Sequence, residues 1–163
     1  MRIYLSIDPE AEDVATIEDG KTLMSFLQAQ GHTIYRAPYV LSKNPDLFLR
    51  KELGLDRDVT FEGQRDVHMK WVDKSDLLIA DISEASEGRA MIIQRAIDKP
   101  AMGLPYTPII LIKKKNRDRH FGKIVRGLIE KKDILYHEYE SIQDFIDKWD
   151  AVIKECLALQ KNS

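Results

Sequence analysis

The sequence predicts an α/β fold: a three-layer sandwich in which helices cover both faces of a parallel sheet of about five strands. Three observations carry this. The segment Leu77 to Ile82 is apolar throughout except for Asp81, the pattern of a parallel strand covered on both faces rather than the alternation of a half-exposed one. Directly after it, the polar loop Ser83-Glu84-Ala85-Ser86-Glu87-Gly88 leads into a segment whose Ile92, Ile93, Ala96 and Ile97 repeat at helical spacing. Such strand-then-helix units recur along the chain, and right-handed crossovers then give a parallel sheet. At 163 residues the chain is expected to form a single domain, 1–163, around one substantial core.

In chain order, Arg2 to Ile7 reads as the first strand. The acidic, glycine-free loop Asp8-Pro9-Glu10-Ala11-Glu12-Asp13 follows, then a helix carrying Leu23, Phe26 and Leu27 that stops at Gly31. His32 to Ala37 is a second strand, ended by Pro38, which cannot donate to a ladder; Pro45 opens a short helix through Leu53. A helix from about Val59 to Lys74 places Val67 and Trp71 one turn apart on its buried side. After the central strand and its helix, both Lys99 to Leu104 and Pro108 to Lys113 read as strand starts. The second is favoured as the fourth strand, because Pro100, Gly103, Pro105 and Pro108 punctuate the first as a turn. Ile134 to Tyr139 is the last strand. Ser141 then caps a helix whose Ile142, Phe145, Ile146, Trp149, Ile153, Cys156 and Leu157 form one long apolar stripe.

Composition narrows the function classes. Apolar residues make up 44% of the chain, and 25 basic against 27 acidic residues give a net charge of −2, without the basic excess of a nucleic-acid binder. The run Lys113-Lys-Lys-Asn-Arg-Asp-Arg119 lacks interleaved aromatics and reads as a solvated turn. A single cysteine, Cys156, cannot make an internal disulfide or a thiolate metal cluster, and MRIYLSID reads as a strand rather than a signal peptide. A cytoplasmic protein is expected. No apolar run has the roughly 18 residues of a membrane span. No GxGxxG, P-loop or metal-ligand spacing is present, so no cofactor, metal, nucleic acid or membrane partner is expected.

In open α/β sheets ligands gather beyond the carboxyl ends of strands, where helix N-termini present unpaired N–H groups. That singles out Ser83 to Gly88, with Ser86 either donating to a ligand oxygen or simply capping the helix. Ser6 and Asp8 stand at the end of the first strand. Asp81 stands at the end of the central one, as a ligand contact, a replacement nucleophile, or an acid that caps the loop or pairs with Arg89. His68 could move protons near neutrality, or be a partly exposed helical histidine between Val67 and Met69. Ile92 reads as a core residue of its helix. Trp71 and Trp149 lie on apolar stripes and are expected in the core or a subunit interface.

Several short motifs, in this order, resemble the nucleoside 2-deoxyribosyltransferase family, which includes the 2′-deoxynucleoside 5′-monophosphate N-glycosidases. They are MRIYLS, Gly31-His32, Trp71 to Asp76 (WVDKSD), Ala80-Asp-Ile-Ser83, Ser86-x-Gly88, and Lys123 to Gly127 (KIVRG). The resemblance spans roughly Met1 to Trp149. It implies a flavodoxin-like fold, a homo-oligomer with pockets near the subunit contact, and cleavage of an N-glycosidic bond through a carboxylate nucleophile. An oxocarbenium-like transition state needs such anionic oxygen.

The family's functional positions are altered here. Four residues before Ala96, where the resemblance places the glutamate nucleophile, stands Ile92, and no Glu or Asp lies between Gly88 and Ile97. Eight residues before Asp76, where it places a second acid, stands His68; Asp66 is two positions earlier, about 200° around a helix. The loop after the first strand is acidic rather than glycine-rich, which disfavours a phosphate there. The serine a neighbouring subunit would supply falls on Gly122, leaving Ser86, Gly88 and Arg126 as anion contacts.

Three readings follow. The leading one is a binding or regulatory protein with a nucleoside- or nucleotide-type pocket lined by Ser6, Asp8, Ser83, Ser86, Gly88, Ile92 and Arg126. The second is an active N-glycosidase or deoxyribosyltransferase using Asp66, Asp81 or Asp8 as carboxylate and His68 as proton shuttle. The third is an assembly domain whose pocket is filled by Ile7 and Ile92.

Overall fold

Asp81 breaks the apolar run of the central strand, yet it is buried with the rest of it. In the computed structural model β3 (Leu77–Asp81) is covered at every position. It is paired on one side with β1 (Arg2–Ser6), through Ile3 to Leu77 and Ser6 to Ala80. On the other side lies β4 (Ile109–Lys114), with Leu78 against Ile109 and Asp81 against Ile112. Beyond these are β2 (Thr33–Tyr35) beside β1 and β5 (Ile134–Tyr139) beside β4. All pairings are parallel, in the order β2-β1-β3-β4-β5. The structure describes residues 1–7, 14–35, 44, 47, 50–51, 54, 60–84, 86–115, 123–131 and 134–159.

Among the described residues the helices with defined bounds are α1 (Val14–Ala29), α2 (Phe61–Lys74), α3 (Glu87–Asp98), α4 (Lys123–Ile129), α5 (Ile142–Asp147) and α6 (Trp149–Leu159). Odd and even positions along the strands feed two separate cores, as the pleat requires. Ile3, Leu5, Leu77, Ile79 and Ile110 face a cluster built by α1, α5 and α6. Tyr4, Leu78, Ala80, Ile109 and Leu111 face one built by α2 and α3, with Leu128 and Ile129 of α4 packed at its side. This is the three-layer α/β sandwich read from the sequence. Among the described residues no helix is long and apolar enough to cross a membrane.

Local chemistry sets the ends of these elements. Gly31, at φ +79°, closes α1 in the left-handed region that favours glycine. Thr60 caps α2, its hydroxyl oxygen accepting from the Gly63 N–H at 3.0 Å. The segment from Lys99 to Leu104 is not a strand: Pro100–Met102 forms a 3₁₀ turn closed by Gly103 at φ +73°, and the fourth strand is Ile109–Lys114 as favoured. Of the short helix expected from Pro45 to Leu53, only Leu47, Arg50 and Lys51 are described, and all three are helical.

Two expectations are corrected. The C-terminal helix is not continuous; it breaks at Lys148, with φ −98° and ψ 1°, into α5 and α6. Ile142, Phe145, Trp149, Val152 and Cys156 are its buried stripe, Ile146 and Ile153 pack at the margin, and Leu157 is exposed. Nor is the start of the basic run a solvated turn. Lys113 and Lys114 belong to β4 and are tied by ion pairs to Glu138 (3.5 Å) and Asp19 (2.7 Å), while Lys115 pairs with Glu140 (3.0 Å). Asn116 to Arg119 lie outside the described residues. Both tryptophans are core residues, Trp71 with its ring stacked on Tyr35.

α2 and α3 are joined at their C-terminal ends by polar groups. The Arg95 guanidinium grips Asp73 with two N–H bonds of 2.8 Å. Lys99, only 1% exposed, donates to the Val72 carbonyl at 3.2 Å, the Ser75 carbonyl at 3.0 Å and the Thr107 hydroxyl. An ammonium at the carbonyl end of α2 is favoured by the helix dipole, while its burial lowers the pKa below the usual lysine value.

Candidate functional site

The carboxyl edge of the sheet holds most of the residues singled out by sequence, but alternation divides them between its two faces. Asp81 follows Leu77 and Ile79 at period two and points into the α1–α5–α6 layer. There its Oδ1 accepts from the Ser83 N–H at 2.8 Å and its Oδ2 from the Tyr139 hydroxyl at 3.0 Å. Burial, joined by the Asp81 charge, raises the Tyr139 pKa far above its ordinary value, so the phenol stays a donor. Ser83 is engaged too, its Oγ accepting from the Lys114 N–H at 2.8 Å. Arg89 is not the partner of Asp81; it donates to the Glu84 carbonyl at 2.7 Å. Both oxygens of Asp81 are thus committed to holding β3, β5 and the loop together. Tyr139→Phe is expected to lower stability by about 1–3 kcal/mol, because a buried carboxylate oxygen loses its donor; urea denaturation measures it.

On the opposite face, β1 and α2 bring Tyr4 and His68 together, with 2.7 Å between the Tyr4 hydroxyl and His68 Nδ1. Tyr4 is fully buried and His68 half-buried, and the imidazole meets the Trp71 ring edge-on at 5.2 Å. Asp66 does not join them. Its side chain is 57% exposed and pairs with its neighbour Arg65 at 2.9 Å, as a position two residues from His68 on a helix must turn away. One strand step beyond Tyr4, on the same face, Ser6 is 1% exposed and its Oγ has no partner among the described residues. Ile92 is 6% exposed within the apolar cluster that also holds Tyr4, Val67, Trp71 and Ala96. Asp66, His68 and Asp81, three of the four candidates for catalysis, are therefore not gathered around one point. Asp8 lies outside the described residues.

On its other flank, α3 borders a cleft of about 370 Å³, lined among the described residues by Ile82, Glu84, Ser86, Arg89, Ala90, Met91, Ile93, Gln94, Leu111 and Leu128. That volume is within the usual range of small-molecule sites. Of the individual site residues expected from the sequence, Ser86 is in this lining, and it caps α3, its oxygen accepting from the Arg89 N–H at 3.3 Å. Gly88 is exposed on the first turn of α3 and Arg126 exposed on α4; neither lines the cleft, nor do Ser83 and Ile92. Glu84 falls within the Ser83 to Gly88 loop singled out by sequence, whereas Arg89, Gln94 and Leu128 were passed over as site residues. The spacing of Ser86, Arg89 or Ala90, and Ile93 or Gln94 was a readable signal, since it marks one helix face. Leu128 carried none, because only the packing of α4 brings it near. Among the described residues no His, Cys, Asp or Glu group could hold a metal ion.

No family model matches the chain, and no curated protein sequence does. Among solved structures it is similar to the CMP N-glycosidase BcmB of Clostridium botulinum, with 19% identity and a TM-score of 0.62 over 93% of this chain and 98% of that one. The likeness is one of fold, and it agrees with the flavodoxin-like arrangement of five parallel strands between two helical layers.

Proposed function

We propose that this protein binds a nucleoside- or nucleotide-like small molecule without breaking its glycosidic bond. The observation that carries this reading is Ile92. At the position where the family resemblance calls for the glutamate nucleophile, a hydrocarbon side chain sits 6% exposed among apolar neighbours. Sec-butyl carbon can neither attack an anomeric centre nor stabilise an oxocarbenium ion. Asp81 is held on the far face of the sheet by Ser83 and Tyr139, and Asp66 is at the surface beside Arg65, so neither substitutes for it.

Retention of a binding role is supported by what remains at the carboxyl ends of β1 and β3. The buried Ser6 hydroxyl lacks a protein partner among the described residues, a condition native structures rarely leave unsatisfied. The Tyr4–His68 pair lies beside it on the same face, and Ser86 stands at the head of α3. The similar fold of a nucleotide N-glycosidase agrees with a ligand of this class.

The test is a panel of 2′-deoxynucleosides, ribonucleosides and their 5′-monophosphates. A member of the panel is expected to raise the melting temperature in a concentration-dependent way, with no free base on prolonged incubation. Release of free base, which vanishes in an Asp66→Ala or Asp81→Ala variant if one of those carboxylates is a relocated nucleophile, or absence of any stabilisation, would refute the reading. Light scattering on the same samples reads the homo-oligomer that the family resemblance implies.

A further inference from the structure

At the amino edge of the sheet, opposite to the ligand position just proposed, a sulfur is held against a cation. Arg95 turns its Nε and one terminal nitrogen onto the Asp73 carboxylate, at 2.8 Å each, and its other terminal nitrogen onto Met102 Sδ at 2.9 Å. The methionine is presented by a hydrogen-bonded turn. Between α3 and β4 the Lys99 carbonyl accepts from the Met102 and Leu104 N–H groups at 3.0 and 2.9 Å, and the Pro100 carbonyl from the Gly103 N–H at 3.0 Å. Lys99 itself is anchored through its buried ammonium. Met102 nonetheless stays 41% exposed, so a small oxidant reaches its side chain. A thioether is a weak acceptor, and a guanidinium N–H is a strong, charge-assisted donor. The contact joins mismatched partners.

We propose that Met102 is a site of reversible oxidation by hydrogen peroxide, and that Arg95 is the receptor for the sulfoxide oxygen. A sulfur lone pair attacks one oxygen of the peroxide; the S–O bond forms as the O–O bond breaks, and the other oxygen leaves with both hydrogens as water. Sulfur gives up two electrons and the peroxide takes them. The product is a polar sulfoxide in place of an apolar thioether, so the guanidinium exchanges a weak sulfur acceptor for a strong oxygen one. Three rotatable bonds let the exposed side chain turn that oxygen toward the cation. In a core, methionine oxidation loosens packing by placing a polar group among apolar ones. Here no residue of the Pro100–Met102 turn is buried and the group in contact is a cation, so the sign reverses. Oxidation tightens the turn onto the Asp73–Arg95 pair that joins α2 to α3.

The experiment treats the full chain with hydrogen peroxide, locates the added oxygen by peptide mass spectrometry and compares melting temperatures before and after. Oxygen is expected on Met102. Oxidation of the other methionines is common to the wild type and Met102→Leu, so the difference between their two shifts isolates Met102. That difference is expected to be a rise of about 2 °C. It should vanish when the same comparison is made in an Arg95→Lys background, where a single ammonium keeps the charge beside Asp73 but no longer forks to both partners. A mixture of the two epimer-specific methionine sulfoxide reductases is expected to return the treated wild type to its starting melting temperature. No oxygen on Met102, a fall in melting temperature assigned to it, a rise that persists with Arg95→Lys, or a shift the reductases cannot reverse would each overturn the proposal.

Discussion

Ile92→Glu is expected to cost about 3–5 kcal/mol of stability and to yield no glycosidase. The substitution restores the residue type that the family resemblance assigns to this position, so a naive reading would expect activity to return. The surroundings say otherwise. Ile92 shares its cluster with Tyr4, Val67, Trp71, Ile93 and Ala96, and a carboxylate placed there has no cation to pair with among those neighbours. An unpaired buried charge either takes up a proton or drives local opening, and both routes cost several kcal/mol. Urea unfolding of the variant gives the loss, and incubation with deoxynucleosides gives the activity. Near-native stability would mean that the side chain reaches solvent or a cavity, and would remove the main support for a protein that binds without cleaving.

Lys99 is the second place where a large effect is expected, and here two substitutions should part company. Lys99→Ala removes a long buried stem and is expected to cost about 2–4 kcal/mol through the void it leaves. Lys99→Met fills the same space and is expected to stay within about 1 kcal/mol of the wild type. The reason is that the acceptors keep other donors: the Val72 carbonyl retains the Ser75 N–H and hydroxyl at 3.0 and 2.7 Å, and the Ser75 carbonyl retains the Thr107 hydroxyl at 3.2 Å. Replacing a buried ion by an apolar group of similar shape is then close to neutral.

The pair also separates in pH. Burial lowers the Lys99 pKa in the folded protein below the ordinary 10.5, so between the two values the unfolded chain holds more protons than the native one. Wild-type stability should therefore rise with pH relative to Lys99→Met across that window. Thermal denaturation of the two proteins over the alkaline range measures the difference; parallel curves would show that the amine titrates normally.

Much of the architecture was legible because the strands and helices announce themselves by different periods. The run Leu77 to Ile82, interrupted only by Asp81, and the stripe through Ile92, Ile93 and Ala96 each had one sensible interpretation. The break at Lys148 was not legible, since Ile142, Phe145, Trp149, Val152 and Cys156 keep a helical spacing straight through it. The site was read less well. Alternation alone could have told that Asp81 shares a face with Leu77 and Ile79, opposite to Ala80 and Ile82, and so cannot cooperate with His68. The Tyr4–His68 contact and the cleft were beyond reach of the sequence, because one joins residues 64 apart in the chain and the other depends on where α4 comes to rest.

The strand order has one more consequence. β1 and β3 are neighbours, yet β1 passes the chain to α1 in one helical layer and β3 passes it to α3 in the other. Two adjacent exits that diverge in this way open a crevice at the point where the winding of the sheet reverses direction. A molecule lodged there would touch both layers at once, and would act as a rivet through the sandwich rather than as a decoration on one side of it.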